Sequence, residues 1–324
     1  MIRRVLLAAA ALAGSASIQA QPATTKLDAA AGYPGIDKTT QTEDVRFKNA
    51  ADERMTVAVR LSGAGPYQFL VDTGADRTAV SSDLVNKLKL QSGTHAELHS
   101  VTGVSTVTTA KVPSLELTRA SKSVEAAVLE SANMGADGIV GADMLRSQRV
   151  QFDFETKTMS IVPSATPDFR YEPGTIVVEA RRKNGRLVVV DAVADGQPLT
   201  VVLDTGSQVT IGNSALRQRL RGRGLIDGLQ KVELQSVAGG TVTGDYMFVR
   251  DLTVGGIGLN NLAVVFTDVH TFHQLGLDKK PALLLGMNAL RAFKKVSIDF
   301  ANRKFRVLVP EHSELEMQMA AIRM

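Results

Sequence analysis

Valine-rich apolar runs alternate with glycine-containing pairs along most of the chain, and this pattern predicts a protein made mainly of β-strands. Asn184-Gly185 and Asp195-Gly196 each stand between such runs, as expected for two-residue hairpin turns. Gly255-Gly256 also follows a strand pattern, and we expect a hairpin there rather than a nucleotide-binding loop because no helix pattern follows. Short helices with a polar residue near the start are expected in residues 82–90, 142–147, 213–220 and 287–293.

The strand pattern occurs twice along the chain. Residues 55–72 align without gaps to residues 187–204. Three further blocks have counterparts in the same order, pairing 100–103 with 236–239, 138–141 with 283–286, and 150–154 with 296–300. Four blocks in one order predict a duplicated domain.

The N-terminal segment differs from the rest of the chain. Arg3 and Arg4 precede a short apolar run and then small residues, which is the pattern of a secretory signal peptide and is too short to span a membrane. We expect cleavage near Ala20, with Ala16 and Ser17 as alternative sites. The mature protein is therefore expected to be periplasmic or secreted.

The remaining boundaries follow from composition. A polar, small-residue stretch predicts a flexible tether, and a stretch rich in proline and glycine predicts a connector between the two copies. The expected division is a signal peptide (1–20), a tether (21–52), an N-terminal lobe (53–163), a connector (164–173), a C-terminal lobe (174–310) and a tail (311–324).

Composition excludes several classes of protein. Hydrophobic residues make up 44% and charged residues 22%, as in ordinary globular proteins. The absence of cysteine excludes a disulfide scaffold, a thiolate zinc site and a cysteine nucleophile. The formal net charge is only +4, and Arg3 and Arg4 supply two of these charges, so nothing favours nucleic acid as a partner. Any catalysis must use oxygen or nitrogen groups.

An aspartate follows an apolar strand at the same place in both copies. The motifs are Asp72-Thr73-Gly74 and Asp204-Thr205-Gly206. The strand fixes the carboxylate at the edge of a core, and glycine lets the main chain approach that carboxylate. One such motif is as well explained by a plain turn, but two at equivalent positions predict a paired site.

This arrangement resembles the aspartic peptidases, in which two lobes each contribute one Asp-Thr-Gly to a shared site. The segment 72–78 is similar to the retroviral-type, retropepsin-like branch, and 138–145 and 283–290 match the apolar segment and glycine that precede a short helix in the family. The resemblance covers about residues 53 to 310. It implies a mainly β, bilobal aspartic-protease fold of two related β-barrel-like lobes with short helices.

The resemblance further implies an aspartic-type endopeptidase that needs no cofactor or metal. A water between Asp72 and Asp204 would attack the peptide bond. Carboxylates about 3 Å apart repel by roughly 5 kcal/mol at an effective dielectric near 20, so the pair shares one proton. Thr73 and Thr205 would join the two loops by hydrogen bonds.

Ser207 introduces a difference between the copies. Its hydroxyl can donate a hydrogen bond that favours an ionised carboxylate, whereas the equivalent Ala75 cannot. We therefore expect Asp72 to hold the shared proton more often, and Ala75→Ser to shift activity to lower pH. Gly74 and Gly206 complete the supporting residues.

Two segments occupy the place of the family's flaps, the β-hairpins that fold over the substrate. The flap candidates are Val101, Thr102 and Gly103 in the first copy and Val237, Ala238 and Gly239 in the second. Whether one flap or two closes is left open. The expected partner is an extended peptide or protein substrate, and a monomer suffices because one chain supplies both aspartates.

Other interpretations remain. The main alternative is a catalytically inactive peptide-binding protein of the same fold, and a structural envelope protein is a third. His270 and His273 could approach each other, but no third ligand supports zinc and a loop is expected there. The run 181–183 is expected to be a solvated hairpin face.

Overall fold

The structure is a computed structural model that describes residues 56–117, 121–166, 172–222 and 225–310. The predicted signal peptide, tether and tail lie outside the described residues, as does 167–171 of the connector. Among the described residues, no helix combines the length and apolar character needed to cross a lipid bilayer.

The described part of the chain is mainly β, as predicted. In chain order its strands are β1 (Thr56–Leu61), β2 (Ala64–Val71), β3 (Ala79–Ser81), β4 (Gln91–Ser100), β5 (Gly103–Glu116), β6 (Ser121–Leu129), β7 (Gly138–Val140), β8 (Gln148–Asp153), β9 (Thr158–Pro163), β10 (Thr175–Glu179), β11 (Arg181–Lys183), β12 (Arg186–Ala194), β13 (Gln197–Leu203), β14 (Thr210–Gly212), β15 (Leu225–Gln235), β16 (Thr241–Val254), β17 (Ile257–Phe266), β18 (Ala282–Leu285), β19 (Lys295–Asp299) and β20 (Lys304–Leu308).

The two halves have the same sheet topology. The first sheet has the order β1-β2-β7-β3-β6-β5-β4, and the second has the order β11-β12-β13-β18-β14-β17-β16-β15. Apart from the additional β11, each strand of one sheet has a counterpart in the other. In both, the strand that precedes the aspartate runs parallel to a short apolar strand, β2 beside β7 and β13 beside β18. The structure therefore has the bilobal fold implied by the resemblance.

A third sheet draws strands from both halves. Its order is β10-β20-β19-β8-β9, and β8 pairs with β19 in antiparallel register from Asp153 opposite Lys295 to Arg149 opposite Asp299. Buried aromatic residues from both halves of the chain pack in and beside this sheet, among them Phe152, Phe300 and Phe305. The chain boundaries expected at 163 and 174 stay predictions.

Six short helices connect strands in the described part of the chain. They are α1 (Ser82–Leu88), α2 (Ser131–Met134), α3 (Ala142–Leu145), α4 (Ser214–Leu220), α5 (His270–Gln274) and α6 (Met287–Leu290). Ser81 caps α1, since its hydroxyl accepts from the Leu84 N–H at 3.1 Å, and the Asn213 side chain caps α4 in the same way. The four predicted helices are therefore present, and each is shorter than expected.

The segment 270–273 differs from the expected loop. It forms α5, in which Phe272 is buried in the second-half core. The hairpins expected at 184–185, 195–196 and 255–256 are all present. Asn184 and Asp195 adopt positive φ angles of 45° and 44°, as a two-residue hairpin turn of this kind requires.

Candidate active site

Each half places one aspartate directly after a buried strand. Asp72 follows β2 and its N–H donates to the Val140 carbonyl at 3.0 Å, while the Asp204 N–H after β13 donates to the Leu285 carbonyl at 3.1 Å. The neighbouring apolar strands β7 and β18 thus hold the first residue of each motif. The two aspartates therefore stand at equivalent places in the two halves.

The two motif loops are hydrogen-bonded to each other. The Thr73 hydroxyl donates to the Leu203 carbonyl at 2.9 Å and accepts from the Thr205 N–H at 3.0 Å. The Thr205 hydroxyl does the reverse, donating to the Val71 carbonyl at 2.7 Å and accepting from the Thr73 N–H at 3.1 Å. Both threonines are buried, so these four bonds join the halves out of contact with water.

Main-chain N–H groups hold one oxygen of each carboxylate. Asp72 Oδ1 accepts from Gly74 at 2.7 Å and Ala75 at 3.0 Å. Asp204 Oδ1 accepts from Gly206 at 3.0 Å and Ser207 at 3.3 Å. These bonds fix the orientation of both carboxyl groups.

Glycine is required where each loop meets the opposite carboxylate. A Cβ atom on Gly74 would lie 2.6 Å from Asp204 Oδ1, and one on Gly206 would overlap the Asp72 carboxyl group. Any larger residue would force the loops apart. Each carboxylate is therefore packed against the other half's motif.

Burial and proximity shift the acidity of the pair. Burial raises the pKa of Asp72 to about 7, with a further contribution from the Asp204 charge. Burial also raises the pKa of Asp204, against the lowering effects of the Arg186 charge and the Gly206 N–H. The neighbouring Asp72 side chain lowers the pKa of Asp204 through a hydrogen bond, whereas the Asp204 charge raises the pKa of Asp72.

Arg186 is a site residue that the sequence analysis missed. Its side chain is only 3% exposed, and its Nε donates to the Gly74 carbonyl at 2.7 Å. Its guanidinium also donates to Gln274 Oε1 at 2.8 Å and lies 3.8 Å from Asp76 Oδ1. Arg186 thus joins the second half to the first-half motif and places a buried positive charge beside both aspartates.

The hydrogen bond expected from the Ser207 hydroxyl to Asp204 is absent. That hydroxyl donates to the Val209 carbonyl at 2.6 Å, and only the Ser207 main-chain N–H reaches the carboxylate. The sequence analysis attributed the unequal protonation of Asp72 and Asp204 to this bond, and that explanation was therefore wrong. The Arg186 charge is the largest cause that lowers the pKa of Asp204, whereas for Asp72 the hydrogen bond from the Gly74 N–H comes before it.

Both predicted flap segments lie at hairpin ends above the aspartates. The β4–β5 hairpin turns at Val101 and Thr102, with Gly103 opening β5, and the β15–β16 hairpin turns within 236–240. The Thr102 hydroxyl donates to the Gly239 carbonyl at 3.5 Å, so the two tips meet. Ala238 lies in the same turn, where its N–H donates to Ser236 Oγ at 3.1 Å.

The flap tips cross between halves. Val101 of the first flap packs against the apolar cluster of the second half, and Val237 of the second flap packs against that of the first half. Both valines and both aspartates line one cleft with a volume of about 850 Å³. Two hairpin tips thus border a cleft whose volume lies within the range of ligand-binding pockets.

Comparison with known families decides the classification. The family described as "gag-polyprotein putative aspartyl protease" matches residues 57–147, and the family described as "Aspartyl protease" matches residues 190–289. Both are retropepsin-like, and they match in tandem. The chain belongs to the retropepsin-like aspartyl proteases. Each match contains one of the two Asp-Thr-Gly motifs, so one polypeptide carries both motifs. No curated protein matches the chain.

Three histidines, His99, His270 and His273, lie close together where the first flap candidate meets α5. His99 Nδ1 and His270 Nε2 are 2.9 Å apart, joining the first flap to α5. His273 lies next to His270 with ring centroids 5.8 Å apart. No group of three or more metal-ligating side chains able to hold a metal ion occurs within the described ranges.

Proposed function

We propose that this protein is an exported aspartic endopeptidase that hydrolyses peptide bonds with a water activated between Asp72 and Asp204. The observation that carries the proposal is the pair of motif loops joined by reciprocal threonine hydrogen bonds, with both carboxylates facing one cleft. Membership in the aspartyl protease family supports a peptide as the substrate.

The acid and base roles follow from the asymmetry of the pair. In the proposed mechanism, ionised Asp204 accepts a proton from the water while Asp72 donates its proton to the scissile carbonyl oxygen. The tetrahedral intermediate then collapses: the C–N bond breaks, Asp204 gives its proton to the leaving nitrogen, and one hydroxyl of the intermediate returns a proton to Asp72. The Arg186 charge supports this assignment because it favours the ionised form of Asp204.

The first experiment compares Asp72→Asn and Asp204→Asn with the wild-type protein on a diverse peptide library at acidic to neutral pH. Asparagine keeps the shape but cannot exchange the proton, so we expect each variant to lose cleavage by at least about a hundredfold. Asp191→Asn removes an exposed carboxylate on β12 and serves as the matched control. Circular dichroism and thermal unfolding establish that all three variants fold.

The second candidate is a peptide-binding protein of the same fold without turnover. The size of the cleft and the presence of two flaps are equally compatible with binding alone. Wild-type protein that binds peptides in the cleft but leaves the whole library uncleaved would contradict the endopeptidase and favour this candidate.

Location and assembly are separate parts of the proposal. We propose removal of about 20 N-terminal residues on export. N-terminal sequencing of protein recovered from the periplasm or medium tests this, and an intact Met1 would contradict it.

We also propose that the monomer is active, because one chain supplies both aspartates. Light scattering coupled to size-exclusion chromatography should give the mass of one chain in the active fraction.

A further inference from the structure

A row of three residues forms part of the cleft wall in the first half. Ala79 of β3 lies opposite Ala127 of β6 and Ile139 of β7 in the sheet. All three side chains line the cleft. Behind this row the cleft extends to Leu129 and Met134. The first half therefore lines the cleft with a row in which two of three side chains are alanine, and Val237 of the second flap packs against the same cluster.

The equivalent row in the second half is bulkier. Ile211 of β14 lies opposite Val265 of β17 and Leu284 of β18, on strands that occupy the same places in the sheet order. Isoleucine thus replaces alanine at the centre of the row, and valine replaces alanine beside it. Of this row, only Ile211 is among the cleft-lining residues of the described chain. Val265 and Leu284 beside it are fully buried.

The strands β4 and β15 also line the cleft, and here too the first half has the smaller side chain. Ala96 on β4 and Val232 on β15 occupy equivalent positions, and both line the cleft. One position differs in the opposite sense, because Gly244 stands where the first flap has Val107. The space left by Gly244 is occupied, since a Cβ atom there would overlap the Val265 side chain.

We propose that the two halves of the cleft accept side chains of different size, a bulky apolar one against Ala79 and Ala127 and a small one against Ile211. The proposal rests on the proposed function, because it assigns side chains of a bound peptide on either side of the scissile bond. It makes Ala79 and Ile211 specificity-determining residues. The peptide then binds in one direction only, with its large residue toward the first half.

The test uses two non-cleavable peptide analogues with a hydroxyethylene group in place of the scissile bond. One analogue has phenylalanine at both of the two positions before that group and alanine at both positions after it, and the other has the reverse order. Titration calorimetry measures the affinity of the folded, full-length mature protein for each. We expect one analogue to bind at least about tenfold more tightly, since missing space in an apolar pocket discriminates by this much.

The double variant Ala79→Ile with Ile211→Ala exchanges the side chains at the two equivalent positions. We expect it to reverse the order of the two affinities. If Ala79→Ile prevents folding, Ile211→Ala alone is expected to reduce the preference by opening the second pocket. Ala127→Val is expected to weaken the preferred analogue, whereas Ala126→Val, on the opposite face of the same strand, controls for overpacking of the sheet.

Equal affinities of the wild-type protein for the two analogues, binding of neither analogue, or an unchanged order in folded exchange variants would overturn the proposal. Peptide cleavage is measured in parallel. Cleavage without a size order would overturn this inference and leave the endopeptidase standing. Ordered binding without cleavage would support the inference and contradict turnover.

Discussion

Arg186 shows how one buried side chain couples position and charge at the paired aspartates. It is held by the Gly74 carbonyl on one side and by Gln274 on the other. Gln274 in turn donates to Asp76 Oδ2 at 3.1 Å, so the charge of Arg186 is partly balanced at the cleft edge. The remaining field lowers the pKa of both Asp204 and Asp72, against the raising effect of burial.

The basic limb of the pH–rate profile is the first prediction. Because burial raises the pKa of Asp72 to about 7, kcat/KM should fall as the pH rises through neutrality and the shared proton is lost. Arg186→Gln removes a charge that favours ionisation, so the basic limb should move to higher pH by about one unit.

Two variants separate charge from packing in this experiment. Arg186→Lys keeps the positive charge and should leave the limb near its wild-type position, even where stability falls. Arg181→Gln changes an exposed charge on the adjacent strand and should have little effect. A basic limb that stays in place in Arg186→Gln would contradict the assigned role.

The first flap is an element fixed at its base and at its tip. At the base, Glu125 Oε1 accepts from the Thr94 N–H at 2.9 Å and from the Thr109 hydroxyl at 2.5 Å, and these bonds lower the pKa of Glu125 to about 2. At the tip, the His99 ring bonds to the His270 ring of α5. The main-chain N–H of His270 donates to the Val101 carbonyl at 3.3 Å.

The histidine bond gives the second prediction, a pH-dependent flap contact. Burial, followed by the charges of His99 and His273, lowers the pKa of His270, while Asp278 acts in the opposite direction. The bond needs one unprotonated nitrogen. It should therefore hold at neutral pH and weaken as the pH falls below the ordinary value of 6.5 through the lowered pKa of His270.

Spin labels can measure this contact without an activity assay. The chain has no cysteine, so Val104→Cys on the flap and Gln218→Cys on α4 give two unique labelling sites, both exposed. Electron resonance distances should be narrow at pH 8 and include an open population at pH 5. His99→Phe should make the closed fraction independent of pH over this range. His95→Gln, on the same strand, is the control, and an unaltered pH response in His99→Phe would refute the prediction.

The third sheet links the two halves of the molecule. Strands β8 and β9 from the first half continue through β19 into β20 and β10 from the second. The threonine bonds and the shared aromatic core add further contacts between the halves. The halves are therefore expected to stay together when the chain between them is cut.

A cleavage site inserted between Thr166 and Glu172 tests this third prediction. The Asp72→Asn background prevents self-digestion. After cutting, the fragments should elute together from a size-exclusion column in native buffer and separate in denaturant, because the sheet buries their shared edge. Separation in native buffer would show that each half is an independent domain.

The local features of this fold could be predicted from the sequence, whereas long-range contacts were expected only where the repeat or the family resemblance implied them. Asn184-Gly185 and the repeated Asp-Thr-Gly are specified by neighbouring residues, which is why the hairpin and the equivalent strand ends were expected. The pairing of β8 with β19 joins residues far apart in the chain, and no local pattern contains it. The short helix α5 also lacked a strong signal, since only five residues form it.

The candidate site, like the fold, could be predicted only in part. The two aspartates and their threonines follow from the repeat, but Arg186 did not, because its partner Gly74 lies 112 residues earlier. In the sequence it follows a basic run that indicates a solvated surface, and only folding places it beside the cleft. The Ser207 hydroxyl was assigned to the wrong acceptor because the nearby Val209 carbonyl competes for its proton.

Ala79 and Ile211 occupy the same place in two halves of one chain, yet they are inherited as two separate codons. An assembly of identical subunits would present any change at this place twice. In this chain a single mutation alters one side of the cleft and leaves the other as it was. A library randomised at residue 79 could therefore be selected for new side-chain preferences on one side of the scissile bond, while residue 211 preserves the preference on the other.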